Sequence, residues 1–188
     1  MADSGGKVTS KRWISERLGA WGSSKTILRF TAPAEVKGVA LLVLNQPDRS
    51  SDQWTWTPAI GRDRRIAMQD RSTRFFGTDF SFEDLEERDV DQSDFTLVGE
   101  EAVDGAACWR IEFRPRAARS LQYNRRFLWI RKDNYSAARV ESYIKDQLVP
   151  RLNYRQIERV QNVWTARLLR MEDLRRKGKT VMRLEKLE

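Results

Sequence analysis

The sequence predicts a mainly β protein built on one large antiparallel sheet, and three observations support this. Hydrophobic and polar residues alternate with a period of two in several runs. Turn-forming residues separate those runs, and most loops are too short for a crossover helix. The 188 residues suffice for a real hydrophobic core, and 7 Trp residues argue against disorder. We expect roughly nine to eleven strands in a single sheet, which must curl or close to protect its edges.

The individual strands follow from the alternation. In segment 108–114, Trp109, Ile111 and Phe113 share one face while charged residues share the other. Trp54 and Trp56 share a face in an earlier run. A later run extends from Leu121 through Tyr123, Phe127 and Trp129. Turn signals at 19–22, 45–51, 104–105, 132–134, 161–162 and 177–178 divide the chain as a meander requires.

One stretch, about 68–94, breaks the alternation. It holds an apolar group without strict period, followed by acidic residues. Ser81 and Asp84 fit a capping box, which predicts a short helical turn near Phe82. The stretch therefore indicates a long connection with short helical turns, which either plugs the sheet or acts as a movable cover. Its apolar residues are Phe75, Phe76, Phe80, Phe82 and Leu85.

The charges are unevenly distributed. Lys plus Arg number 35 against 27 Asp plus Glu, a net charge of +8. Residues 79–104 contain 11 acidic residues and one basic residue, so this segment carries −10 and the remainder +18. A basic body of this kind attracts nucleic acid, anionic lipid headgroups or an acidic protein, and charge alone does not choose among them.

Motifs for catalysis and metal binding fail when tested. His is absent and Cys108 is alone, so we expect no metal site and no internal disulfide. A Lys-Gly-Lys-Thr run ending at Thr180 lacks the upstream Gly of a phosphate-binding loop, since Asp173 stands there, and a hairpin turn is favoured. Asp89, Asp91 and Asp94 lack the Gly and Glu of a calcium loop. We expect neither an enzyme nor a cofactor.

The excess of large apolar residues predicts an apolar cavity on one concave face of the sheet. The alternative is a filled core. Basic clusters, among them Arg62, Arg64, Arg65 and Arg119, raise a nucleic-acid surface as another alternative. In the clearest strands the cations lie opposite the aromatic residues, which disfavours base stacking. The candidate cavity residues are Trp13, Phe30, Trp54, Trp56, Phe75, Phe76, Phe80, Phe82, Leu85, Trp109, Ile111, Phe113, Phe127, Trp129 and Trp164.

Three segments resemble the outer-membrane lipoprotein-sorting proteins of the periplasmic lipoprotein-carrier superfamily, in the branch associated with RND/MMPL-type lipid exporters. Residues 28–42 resemble its strand, Pro turn and following strand. Residues 54–66 read Trp-Thr-Trp-Thr-Pro-Ala-Ile-Gly-Arg-Asp-Arg-Arg-Ile and resemble its aromatic strand. Residues 76–85 resemble its Gly-Ser/Thr-Asp-Phe-Ser/Thr-x-Glu-Asp-Leu element, and the order agrees over roughly 7–188.

The resemblance implies one domain over 1–188, a half-open β-barrel with short helices over its mouth. It implies a periplasmic, non-enzymatic carrier that moves lipid or the acyl chains of lipoproteins toward the outer membrane, with an RND/MMPL-type transporter as a candidate partner. It also implies a secretion signal and a first helix, so we expect a truncated N-terminus and self-association through the uncovered edge or face. The alternatives are a nucleic-acid-binding module and a transporter adaptor without a ligand.

Overall fold

The computed structural model of the chain describes residues 9–87, 90–116 and 122–187. The turn-like opening at 3–6 lies outside these residues, as do Asp89, Arg119 and Leu121. The described chain is mainly β, as predicted. It divides into two compact units, of which the first contains 77–79 and 93–188 and the second contains 9–76 and 80–92. No helix among the residues that the structure describes is long and apolar enough to cross a membrane.

The second unit contains a five-stranded antiparallel sheet in which each strand pairs with the next along the chain. Its strands are β1 (Arg12–Ala20), β2 (Ser23–Ala32), β3 (Ala40–Leu44), β4 (Asp52–Thr57) and β5 (Arg62–Arg65).

The first unit contains a seven-stranded antiparallel sheet, which is also a meander. Its strands are β6 (Ser93–Val103), β7 (Ala106–Pro115), β8 (Arg125–Arg131), β9 (Ala137–Ile144), β10 (Gln147–Val160), β11 (Val163–Asp173) and β12 (Gly178–Arg183).

The prediction of a single sheet is therefore wrong. The hydrogen-bonded order ends at β5 and begins again at β6. The four residues of β5, Arg-Asp-Arg-Arg, are all exposed, and charged side chains on a short strand are typical of a sheet edge. After β5, Phe75, Phe76, Phe82 and Leu85 pack on the five-stranded sheet, so the ladder is not continued through this segment.

The turn predictions are confirmed. The turns at 104–105 and 161–162 join β6 to β7 and β10 to β11, and both central residues of each have positive φ. This is the geometry that matches the twist of a two-residue hairpin. Gly178, in the segment considered as a phosphate loop, begins β12 immediately after the turn from β11. That segment is therefore a hairpin, as predicted.

The connection between the sheets contains three short 3₁₀ turns, Met68–Asp70, Phe82–Leu85 and Val90–Gln92. The predicted capping box is present: the Ser81 hydroxyl accepts from the Asp84 amide, and the Asp84 carboxylate accepts from the Ser81 amide. Phe75 and Phe82 from this connection are buried against Phe30 and Leu41 of the five-stranded sheet. The connection is thus part of a packed core there.

A buried ion pair also fixes the connection. Arg71 Nη1 lies 2.7 Å from Glu86 Oε1, and the two side chains are 5% and 6% exposed. Arg71 also donates to the carbonyl of Ser51, and the Gln53 side-chain amide donates to Glu86 Oε1 at 2.8 Å. These polar groups tie the 3₁₀ turns to β4 and the loop before it.

Candidate functional site

A row of apolar side chains crosses the seven-stranded sheet on one face. Directly opposed residues in adjacent antiparallel strands point to the same face, so the pairing register defines the row. Five inter-strand spacings of about 4.8 Å separate its six apolar members, so it is roughly 24 Å long. We call the first six members the apolar row: Leu97, Ile111, Leu128, Val140, Leu152 and Met171, with Thr180 closing it on β12.

The apolar row is open at one end. The exposed fraction is 61% at Leu97 and 2% at Met171, and the four residues between them are half-buried. Beside Leu97, Phe95 is 47% exposed and stacks on Phe113 with ring centroids 5.8 Å apart. A large exposed apolar area on a folded protein marks a site of interaction.

The other end of the apolar row is fixed by a buried polar contact. The Thr180 hydroxyl donates to Asp79 Oδ2 at 2.7 Å and accepts from the Asp79 amide at 2.8 Å. A Cβ placed on Gly178 would lie 2.3 Å from Asp79 Oδ1, so the Asp79 carboxylate packs directly against the glycine. Residues 77–79 are thereby attached to β12.

The opposite face of the same sheet is a ladder of arginines, acids and aromatic rings. The guanidinium of Arg110 lies over Phe127 at 4.4 Å and over Trp129 at 5.3 Å. Arg125 covers Phe127 as well, at 5.5 Å, and Trp129 donates its indole N–H to Glu101 at 3.0 Å. Other side chains of the protein therefore already contact the rings of Phe127 and Trp129.

The prediction that the candidate residues share one face is therefore wrong within this sheet. Trp109, Ile111 and Phe113 lie on the face of the apolar row, whereas Phe127 and Trp129 lie on the charged face. The cause is the register, which places Trp129 opposite Arg110 and Phe127 opposite Glu112. Trp164, 46% exposed, lies by alternation on the charged face with Arg170.

The five-stranded sheet also divides the candidate residues. Phe30, Phe75, Phe82 and their neighbours form the packed core on one face, with Trp13, Phe76 and Leu85 partly buried against it. Phe80 is 4% exposed. Trp54 and Trp56 lie on the other face, where they line an open groove of about 620 Å³ together with Ile27, Leu42 and Leu44. Their register, opposite Leu42 and Ala40, decides this.

The described residues contain no arrangement suited to metal binding. No group of three or more His, Cys, Asp or Glu side chains is gathered there. Cys108 is buried, and burial raises the pKa of its thiol, which disfavours the reactive thiolate. Hydrogen bonds from Arg49 and then Arg65 lower the pKa of Asp52, against the opposing effect of burial. Asp52 is therefore held as a paired carboxylate at the edge of the groove.

Sequence reasoning missed most of the apolar row. Leu97, Leu128, Val140, Leu152 and Met171 were not among the candidates, which were mostly aromatic. The available signal was the alternation in β6, since Phe95 and Leu97 share a face. Strand β8 reads Arg-Arg-Phe-Leu-Trp-Ile-Arg, with large apolar residues on both faces, so its own sequence does not select the inner face.

Comparison with known proteins places the chain in a family. A family model described as uncharacterized protein-like matches residues 22–188. A solved DUF1329 family protein from Desulfovibrio piger is 32% identical, with a TM-score of 0.90, over 94% of this chain and 77% of that chain. The chain belongs to the DUF1329 family. No curated protein matches it.

Two further solved structures share the fold of this DUF1329 protein. A Vibrio parahaemolyticus domain named for outer membrane lipoprotein sorting is 24% identical, with a TM-score of 0.84, over 96% of this chain and 80% of that one. A LolA superfamily protein from Nitrosomonas europaea is 20% identical, with a TM-score of 0.69, over 95% and 79%. The resemblance found in the sequence is confirmed, and these two likenesses concern the fold.

Proposed function

We propose that this DUF1329 protein is a periplasmic carrier that binds the acyl chains of lipids or lipoproteins and moves them toward the outer membrane. The observation that carries the proposal is the apolar row, a half-buried apolar surface roughly 24 Å long that is open at its Leu97 end. The fold shared with a domain named for lipoprotein sorting supports the cargo class. We also propose that an RND/MMPL-type transporter is its partner and that the chain self-associates at an uncovered edge.

The physical mechanism is reversible apolar binding. An acyl chain lying along Ile111, Leu128 and Val140 leaves water and covers side chains that are half-exposed without it. Each buried methylene contributes about 0.8 kcal/mol, so a long chain is held without any covalent step. Exposed Leu97 and Phe95 give the chain a point of entry.

The two alternatives have less support. A nucleic-acid module needs aromatic faces free to stack on bases, but Trp129 is 2% exposed and Arg110 and Arg125 cover Phe127. An adaptor could dock a protein partner on exposed Leu97 and Phe95, but the half-buried residues further along the apolar row favour a ligand that fits between side chains. Both alternatives remain outcomes of the binding test below.

Leu97→Asp is expected to weaken binding of cis-parinaric acid, a fluorescent fatty acid, by about tenfold. The new charge loses hydration when an acyl chain covers it, and one apolar contact is lost. The change should not unfold the protein, because Leu97 is 61% exposed. Fluorescence titration gives the dissociation constant, and far-UV circular dichroism reports the fold.

Thr96→Asp is the matched control, since Thr96 is exposed on the same strand and lies opposite Glu112, on the charged face. It should bind the probe as the parent does. Equal weakening by both substitutions would contradict the apolar row as the site. Absence of binding in the parent would favour an adaptor, and co-purified oligonucleotide would favour the nucleic-acid module.

A further inference from the structure

The groove on the five-stranded sheet lies on the face opposite the packed core. Strand β3 is apolar at all five positions, Ala40–Leu44. Leu41 and Val43 are buried in the core, while Leu42 and Leu44 point into the groove. Strands with apolar residues on both faces are ordinarily covered on both sides. Here the second side is a concavity of about 620 Å³, within the range of sites that hold a small ligand.

One wall of the groove is aromatic and the facing wall is aliphatic. Trp54 and Trp56 form one wall, and Trp56 is 39% exposed. Ile27 on β2 forms the facing wall, directly opposite Leu42, which in turn opposes Trp54. An indole pair facing aliphatic side chains provides a slot suited to a flexible hydrocarbon chain.

Two cations flank the aliphatic wall. Lys25 and Arg29 lie on β2 two residues either side of Ile27 and therefore share its face. Both are exposed, and neither has an ion-pair partner among the residues that the structure describes.

Among the described residues, the acids on this face are not ion-paired with these two cations. Glu16 lies opposite Ile27, diagonal to both cations, and Asp63 lies opposite Trp56 and lines the groove. Asp52 is held by Arg49 and Arg65. The guanidinium of Arg65 also lies 5.9 Å from the Trp54 ring. Lys25 and Arg29 thus remain available to an anion.

We propose that this groove is a second binding site, which takes one anionic amphiphile. Its acyl chain lies between Leu42 and the two tryptophans, and its anionic head group contacts Arg29, which lines the groove, while Lys25, about 13 Å further along β2, adds positive charge to the same face. The head group is an anion, a carboxylate or a phosphate, since either pairs with the guanidinium of Arg29. The site is separate from the apolar row, and its existence does not depend on the proposed carrier function.

Quenching by dibromostearate tests the site, because bromine quenches indole fluorescence on contact. A Trp109→Phe background removes the indole on the face of the apolar row, and in this background we expect quenching that is largely lost when Trp54→Phe and Trp56→Phe are added. Leu42→Asp should weaken this quenching by about tenfold. Leu97→Asp should leave it unchanged, which separates the groove from the apolar row. Circular dichroism checks that each variant is folded.

Removing the two positive charges tests the contact with the head group. A variant with Lys25→Gln and Arg29→Gln should weaken dibromostearate binding by about three- to tenfold, as the loss of one exposed ion pair and one neighbouring positive charge allows. It should not alter binding of the uncharged methyl ester. If the site recognises only the charge, the same variant should weaken binding of a brominated lysolipid with a phosphate head group to the same extent.

Several results would overturn the proposal. Quenching that survives loss of both tryptophans would place the probe elsewhere. The same conclusion would follow if the Leu42→Asp variant were folded and bound dibromostearate as tightly as the parent. If the Leu42→Asp variant does not fold, the charge and tryptophan variants test the site instead. Conversion of a dimer to a monomer by Leu42→Asp, with no quenching in the parent, would identify the groove as an interface between copies of this chain.

Discussion

Replacing Arg71 with Met is expected to lower the free energy of unfolding by about 3–5 kcal/mol, the usual loss when one partner of a buried ion pair is removed. The remaining Glu86 carboxylate, 6% exposed, would stay buried without the guanidinium. Urea unfolding followed by circular dichroism measures the change. Adding Glu86→Gln to this variant removes the buried charge and should recover part of the loss.

Arg64→Met provides the control for an exposed pair. Arg64 and Asp70 approach only to 3.8 Å, with side chains 78% and 43% exposed. Water screens such a pair, so we expect a change below about 1 kcal/mol. Equal effects of Arg64→Met and Arg71→Met would contradict the buried network as the anchor of the connection.

Phe75→Ala is expected to cost about 3–5 kcal/mol of stability, as large aromatic truncations in packed cores do. Phe75 is 2% exposed, stacks on Phe30 at 5.6 Å and meets Phe76 and Phe82 edge-on at 5.0 and 5.6 Å. Thermal unfolding measures the loss. Below the transition, binding of cis-parinaric acid should be unchanged, because these rings form a packed core.

Phe95→Ala should show the opposite pattern. Phe95 is 47% exposed on the face of the apolar row, so its truncation should alter stability little and weaken probe binding. If Phe75→Ala instead weakens binding while the protein is still folded, the connection is a movable cover and its aromatic rings compete with the ligand.

Local features of this fold were predictable and non-local ones were not. The capping box at Ser81 and Asp84 and the hairpin turns depend on a few adjacent residues, and the sequence shows them directly. The division into two sheets depends on where residues 66–92 pack, which no local pattern encodes.

The face of each strand was predictable only where one side is polar. Strand β7 alternates cleanly, so Trp109, Ile111 and Phe113 were grouped correctly. In β8 the apolar residues occupy both faces, and only the pairing of Trp129 with Arg110 shows which of them lie on the charged face. Strand β3 has the same ambiguity, whereas β4 alternates cleanly but turns its polar residues Gln53 and Thr55 to the core, so Trp54 and Trp56 lie on the face opposite Phe30.

Photo-cross-linking with a diazirine-bearing fatty acid tests the apolar row most directly. Tryptic cleavage releases a β8 peptide, residues 127–131, that carries side chains of both faces. We predict adducts on Leu128 and Ile130, together with Leu97 and Ile111, all competed by unlabelled palmitate. Adducts on Phe127 and Trp129 in their place, or no competed adduct on these strands, would contradict binding along the apolar row.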